Sequence, residues 1–176
     1  MKKIILIGAG GHCRSCIDVI ENEKKFDIIG LLDNNKTGSI NGYKILGDDN
    51  YLENKINKNI YVLITIGYIK NYRLREKIYQ KIKSLRLKLA TIISPMAYIS
   101  KNSSIGEGSI LMHGAIVNAG AEIGKNCIIN SKSLIEHDVT IEDNCHISTG
   151  AIINGGTVVK KNTFIGSNTV VSNNII

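Results

Sequence analysis

The chain is expected to fold as a small parallel α/β domain followed by a parallel β-helix. Four patterns in its 176 residues predict this. A branched aliphatic recurs at every sixth position: Ile93, Ile99, Ile105, Leu111, Val117, Ile123, Ile129, Ile135, Ile141, Ile147, Ile153, Val159, Ile165 and Val171. Such a hexapeptide beat marks a parallel β-helix in which each repeat forms one flat face and the beat residue points inward. Two residues before each beat, from Ala97 to Thr169, every residue is small or β-branched, as a tight corner requires. Three residues after the beat, Gly or Asn fills 11 of 13 positions between Asn102 and Asn174, so this column should hold left-handed turns. Its two exceptions are consecutive, Lys132 and Asp138. A repeat that breaks its own turn rule at neighbouring steps points to a demand other than folding. Three hexads close one coil, so residues 18 apart should stack.

The fourth pattern is an alternation of strands and helices before Pro95, the only proline. Lys3 to Ile7 reads as a buried strand, Gly8-Ala9-Gly10-Gly11-His12 as a tight loop, and Arg14 to Glu23 as a helix. Ile28 to Leu32 is a second strand, ending at Asp33-Asn34. A short strand is expected at Tyr43 to Leu46, and longer ones at Tyr61 to Ile66 and Leu89 to Ile93. Tyr72 to Leu85 carries Leu74, Ile78, Ile82 and Leu85 at helical spacing. The domain boundary is placed near residue 94, giving an α/β domain at 1–94 and a β-helix at 95–176.

The net charge of +7 concentrates between Lys70 and Lys88 and reads as the solvated face of a helix. Few aromatics and no binding motif argue against a nucleic-acid partner. No apolar run is long enough to span a membrane, and Ile4-Ile5-Leu6-Ile7 runs straight into glycines, unlike a signal peptide. A cytoplasmic location is expected. Cys127 and Cys145 differ by one coil and should stack as core thiols. Cys13-Arg14-Ser15-Cys16 lacks a second pair to complete a metal site and reads as helix packing. No metal is expected.

Two stretches carry chemistry. A strand, a glycine turn and a helix start present backbone N–H groups and partial positive charge to a phosphate. Asp33, at the end of the next strand, is placed to accept from a ribose or base. A nicotinamide dinucleotide is disfavoured because Cys13 stands where the third glycine of its fingerprint belongs. A nucleotide whose diphosphate lies on the loop is preferred over a purely structural turn. The other stretch is Ile135-Glu136-His137-Asp138. A lone surface histidine is ordinarily inert. Here a carboxylate follows at once and can orient the imidazole, the two turn-column exceptions bracket it, and Gly155 lies one coil on.

Together these motifs resemble the bacterial sugar O- and N-acetyltransferases of the sialic-acid O-acetyltransferase family. The resemblance is strongest to those acetylating a UDP-linked 4-amino sugar in bacillosamine-type pathways. It rests on G-A-G-G-H at 8–12, L-D-N at 32–34, I-G at 66–67, I-N-S-K-S-L-I-E-H-D at 129–138 and C-H-I-S-T-G-A at 145–151. The resemblance implies a left-handed helix, a homotrimer with active sites between subunits, and acetyl-CoA as co-substrate. It casts His137 as general base and Asp138 as its tuning acid. Gly10, Gly11 and His12 would hold the diphosphate, Asp33 and Asn34 the uridine, and Gly67 the nucleotide sugar. His146, Gly155 and Ser167 would contact acetyl-CoA. His113 matches no functional position and reads as structural. The resemblance also implies a further coil beyond the position of Ile176. The apolar last residues Ile175 and Ile176 are therefore expected to be covered by another surface or to drive association. Sialic acid O-acetylation is the alternative activity, and a non-catalytic nucleotide-sugar-binding relative the alternative class.

Overall fold

A computed structural model describes residues 1–54 and 57–176. The chain divides into two compact units: residues 1–67 with 73–90, and residues 68–72 with 91–176.

The first unit is built on β1 (Lys2–Ile7), whose Ile4, Ile5, Leu6 and Ile7 are all buried. A strand apolar on both faces belongs in the middle of a covered parallel sheet. It pairs in parallel with β2 (Phe26–Leu32) on one side and β5 (Tyr61–Ile64) on the other. The six-stranded sheet adds β3 (Ser39–Ile40), β4 (Tyr43–Gly47) and β6 (Lys88–Leu89), in the order β3-β4-β2-β1-β5-β6. Among the described residues only the β3–β4 pair is antiparallel. The helices are α1 (Gly11–Glu23), a single turn α2 (Tyr51–Asn54), and α3 (Arg73–Ser84). Chain direction across the sheet diverges on either side of β1. The loop after β1 therefore lies at a topological switch point, where such sheets bind ligands.

Four details depart from the pattern read along the chain. First, α1 begins at Gly11, so Gly11 and His12 form its first turn and not the end of a loop. Second, the strand expected over Leu89–Ile93 is two strands: Lys88–Leu89 ends the α/β sheet, and Ile92–Ile93 starts the β-helix. Third, β5 stops at Ile64, and the Ile64 and Ile66 carbonyls accept from Arg75 Nη1 at 2.7 and 3.0 Å. Fourth, the buried face of α3 is Arg75, Ile78, Tyr79 and Ile82, whereas Leu74 is 53% exposed. Arg75 is thus the exception within the basic segment. Its side chain is 1% exposed, and a guanidinium is tolerated there because carbonyl oxygens accept its protons.

The second unit is the left-handed β-helix of hexapeptide repeats. Its strands are two residues long and stack in three parallel sheets. One face runs Ile92–Ile93, Ile110–Leu111, Ile128–Ile129, His146–Ile147 and Phe164–Ile165. The next runs Tyr98–Ile99, Ile116–Val117, Leu134–Ile135, Ile152–Ile153 and Val170–Val171. The third runs Ser104–Ile105, Glu122–Ile123, Thr140–Ile141 and Val158–Val159. Partners differ by three hexads throughout, and no loop interrupts the coils. The beat residues form one core from Leu111 to Val159, with Ile93, Ile99, Ile105, Ile165 and Val171 packed against it. Cys127 and Cys145 are buried in the same core, and the Cys127 thiol donates to Cys145, holding the latter's proton affinity down.

The turn column behaves as the Gly/Asn pattern requires, with one exception. Every residue of the column from Gly108 to Asn174 has positive φ, but Asn102 does not. Lys132 (φ 58°) and Asp138 (φ 57°) adopt the left-handed conformation although neither is Gly or Asn. Each therefore carries strain of about 1–2 kcal/mol that glycine would not. Lys132 is exposed, so Lys132→Gly should raise thermal stability by about 0.5–1 kcal/mol once glycine's extra unfolded-state entropy is subtracted. Lys132→Val should lower it. Equal melting temperatures for the two variants would show that this turn stores no strain.

Candidate functional site

His137 stands on the corner that follows the strand Leu134–Ile135. Three hydrogen bonds to neighbouring coils fix its backbone. Glu136 N–H donates to Ile153 O at 3.0 Å, Asp138 N–H to Ala119 O at 3.1 Å, and Gly156 N–H to His137 O at 3.1 Å. The imidazole is 64% exposed and lies against Gly155, one coil further on. A Cβ at Gly155 would sit 2.7 Å from both Cε1 and Nε2 of the ring, so only glycine fits. On the preceding coil, Gly120 does the same for the Asp138 carboxylate. The corner thus combines a strained acidic turn residue with glycines above and below.

Nδ1 of His137 lies 2.9 Å from Asp138 Oδ2. An ionised carboxylate only accepts, so the neutral imidazole carries its proton on Nδ1 and directs a lone pair outward from Nε2. That is the arrangement of an oriented general base. Glu136 faces the other way, accepting from Asn118 Nδ2 at 3.0 Å. The Gly155 N–H carries no hydrogen bond among the described residues, leaving a backbone donor beside the ring.

The glycine loop gathers a second group of residues at the C-terminal ends of β1, β2 and β5. Gly8 has φ +105° and packs on the Ile66 side chain, where a Cβ would collide. Gly10 is the N-cap of α1 and supplies no side-chain cap, so the first-turn N–H groups have none from it. Nothing lies within 4 Å of where a Cβ of Gly10 or Gly11 would be. The surface above both glycines is open, and the bare helix start directs its donors there. Gly67 closes against His12: its Cβ would be 3.5 Å from the His12 ring.

The loop is pinned through Ala9. Its N–H donates to Asp33 Oδ2 at 2.8 Å, and its carbonyl accepts from Lys36 Nζ at 2.8 Å. Asp33 Oδ1 also accepts from Asn35 N–H at 2.9 Å. Asp33 therefore braces the loop as well as facing the cavity. A cavity of about 600 Å³ opens beside it, lined by Asp33, Asn34, Lys36, Leu46 and Gly47 among others. Lys36 escaped the sequence reading because lysine after an Asn-Asn pair resembles any solvated loop residue. Its position beside the loop adds a cation at the rim.

The residues expected to contact acetyl-CoA are spread over the β-helix. Gly155 lies under His137. Ser167 is exposed, its Oγ 2.9 Å from Ser148 Oγ. His146 is 6% exposed and sits on a different face from the His137 corner. It packs edge-on between Tyr68 and Phe164, with ring centroids 5.6 and 5.1 Å away. Its Nδ1 donates to the Tyr68 carbonyl at 2.7 Å, and its Nε2 approaches Asn130 Nδ2 at 3.4 Å. A carbonyl only accepts, so neutral His146 holds its proton on Nδ1. Tyr68 also donates its hydroxyl to the Asn144 carbonyl, which ties the 68–72 segment to the coils. Nothing in the sequence pattern marked Tyr68.

Burial pushes the Cys13 and Cys16 thiols up, away from the reactive thiolate. Among the described residues no group of three or more His, Cys, Asp or Glu side chains is placed to hold a metal. No helix among them is long and apolar enough to cross a membrane.

One prediction concerns the geometry alone. Gly155→Ala should push the imidazole off its seat and break the His137–Asp138 contact, since a methyl would stand 2.7 Å from the ring. A crystal structure of the variant with His137 unmoved would contradict this.

Residues 3–82 match the family model described as PglD N-terminal domain, and residues 102–137 match bacterial transferase hexapeptide (six repeats). No curated protein is similar enough in sequence to match. Among solved structures, the chain is similar to the acetyltransferase domain of PglB from Neisseria gonorrhoeae in complex with acetyl coenzyme A. The identity is 29% over 98% of this chain and 83% of that one, with a TM-score of 0.92. It is also similar to a histidine-to-asparagine mutant of perosamine N-acetyltransferase from Caulobacter crescentus in complex with CoA and GDP-perosamine. There the identity is 25% over 98% and 90% of the two chains, and the TM-score 0.83. WeeI from Acinetobacter baumannii, at 24% identity, 95% and 87% coverage and a TM-score of 0.69, shares the fold. With a match to the PglD N-terminal domain in its first part and to transferase hexapeptide repeats in its second, the chain is similar in both parts to known acetyltransferases.

Proposed function

We propose that the protein transfers an acetyl group from acetyl-CoA to the amine of a nucleotide-linked amino sugar, UDP-linked by the resemblance of its motifs, with His137 as general base. The observation that carries this reading is the His137 corner: an imidazole oriented by Asp138, seated on Gly155, with Nε2 facing outward. Similar structures hold acetyl coenzyme A in one case, and CoA with GDP-perosamine in another. An N-acetyltransferase among them favours an amine acceptor over the hydroxyl of a sialic acid.

In this reading residues 1–94 bind the nucleotide sugar and residues 95–176 carry the transfer. The diphosphate lies over Gly10 and Gly11 at the bare start of α1, with His12, Asp33, Asn34 and Gly67 around the nucleotide. As the amine attacks the thioester carbonyl, a C–N bond forms and His137 Nε2 takes the amine proton. The C–S bond then breaks, and the proton is returned to the departing thiolate. The Gly155 N–H, which carries no hydrogen bond among the described residues, is the donor offered to the oxygen that gains charge. Neutral His146 has no proton on Nε2 to give, so its part is to shape the CoA surface through Tyr68 and Phe164. Ser167 lies further along the coils, where the CoA arm extends.

The assembly we propose is a homotrimer. The outward column of the second face is Tyr98, Ile116, Leu134, Ile152 and Val170, apolar throughout, with Tyr98 and Val170 more than half exposed. A continuous apolar stripe on water calls for a partner surface. This stripe runs up to the His137 corner, and His146 lies on another face, so packing copies around it supports sites shared between subunits. A cytoplasmic location follows from the need for acetyl-CoA.

Four outcomes are expected. His137→Ala should lower acetyl transfer by about 10² or more with little change in substrate affinity. Asp138→Ala should lower it less, because the base remains and only its orientation is lost. Thiol release from acetyl-CoA with a UDP-4-amino sugar measures both, and near-normal turnover in His137→Ala would move the base elsewhere. Gly10→Val should weaken nucleotide-sugar binding by calorimetry with the assembly intact, since its side chain would fill the open space above the loop. Ile116→Glu should leave the fold and yield a smaller species by light scattering. A wild-type monomer would overturn the trimer.

A further inference from the structure

The mouth of the α/β cleft contains several acids and amides, and nearly all are spent on holding the backbone. Asp33 uses one oxygen on Ala9 N–H and the other on Asn35 N–H. Asp48 uses both on Asn50, its N–H and its amide. Asn34 gives its amide to Asp49 Oδ2 at 3.0 Å and receives Asp49 N–H on its carbonyl, also at 3.0 Å. Of these carboxylate oxygens, Oδ1 of Asp49 is the one that carries no hydrogen bond among the described residues. Asp49 itself is held at both main-chain ends, because Lys81 Nζ also donates to its carbonyl at 3.1 Å. A carboxylate fixed in this way is preorganised, with its free oxygen ready to accept.

Asp49 lines the recess at the C-terminal ends of the central strands. The walls of that recess are apolar: Ile7, Leu32, Ile66, Leu74 and Ile78. Leu74 is the residue of α3 that departs from the helix's buried face, and here its exposure has a place: it lies at the edge of the recess. Flat apolar walls with one oriented acceptor at the rim suit the edge of a heterocycle.

Building on the nucleotide-sugar reading above, we propose that Asp49 reads the nucleobase and selects one with a ring N–H, uracil or guanine, over one with a ring-nitrogen lone pair. Uracil offers N3–H, and guanine offers N1–H beside its exocyclic amine. Cytosine and adenine place an unprotonated ring nitrogen where uracil and guanine place their ring N–H, so two acceptors repel there and only the neighbouring exocyclic amine is left to donate. A hydrogen bond to a charged acceptor discriminates by roughly 10- to 100-fold. Asn34 is the positioning residue: it holds Asp49 through both its amide nitrogen and its amide oxygen.

Calorimetry with UDP, GDP, CDP and ADP tests this on the full chain. The wild type should bind UDP or GDP about 10-fold or more tighter than CDP and ADP. Asp49→Ala should bring that ratio close to one. Asn34→Ala removes the same Asn34–Asp49 bonds but keeps the carboxylate, so it should weaken binding while retaining most of the preference. A merely structural role for Asp49 predicts the same loss for all four nucleotides in both variants. Equal wild-type affinities, or a preference that survives Asp49→Ala, overturns the assignment and leaves the nucleotide-sugar reading standing. Failure of all four to bind overturns both.

Discussion

The β-helix depends on one backbone feature, a left-handed residue at every sixth position from Gly108 to Asn174. Each coil closes only if the chain turns sharply after each two-residue strand, and the turn places φ near +60°. Glycine meets this without cost and asparagine at little cost, which is why they fill the column. At Lys132 and Asp138 the same geometry is imposed on residues that resist it. The surrounding coils over-determine the turn: Asp138 N–H is held by Ala119 below, and His137 O by Gly156 above. Strain kept at a site by its neighbours is the pattern of a functional position. At Asp138 its use is visible, since the left-handed turn brings the carboxylate of one residue onto the imidazole of the residue before it.

The stacking rule has a second consequence. Because residues three hexads apart lie over one another, the environment of His137 is set by positions distant in sequence but fixed in register. Gly155 is needed where the ring lies, and Gly120 where the acid lies. The two glycines answer to different demands: Gly120 is a turn residue with positive φ, whereas Gly155 has no positive φ and lies where the imidazole occupies its side-chain space. The corner is therefore cut to fit a histidine.

In the α/β unit the equivalent constraint is the loop after β1. Ala9 is gripped by Asp33 through its N–H and by Lys36 through its carbonyl, which holds the following glycines at the start of α1 with open space above them. Arg75 secures the opposite side by binding the Ile64 and Ile66 carbonyls. An acid, a lysine and a buried arginine thus use their charges on main-chain groups. This leaves the rim rigid and limits which side chains remain available for a ligand.

The sequence by itself determined the elements whose cause is local or periodic. The hexad beat, the small corner column and the Gly/Asn turns specify the coils, because each position answers to its own backbone angle and its own inward or outward direction. From that register the Cys127–Cys145 stack and the His137–Gly155 superposition followed by counting. The glycine loop and its helix were legible for the same reason, apart from a start displaced to Gly11. Only the tertiary structure decided where polar groups spend their hydrogen bonds. Arg75 and Leu74 exchange the places their hydropathy suggests, His146 is turned onto the Tyr68 carbonyl, Lys36 reaches back to Ala9, and Asn34 closes on Asp49. Each of these depends on a partner with no periodic relation to it in the chain. A side chain's hydrogen-bonding capacity is written in its type, but its partner is set by which backbone groups the fold leaves within reach.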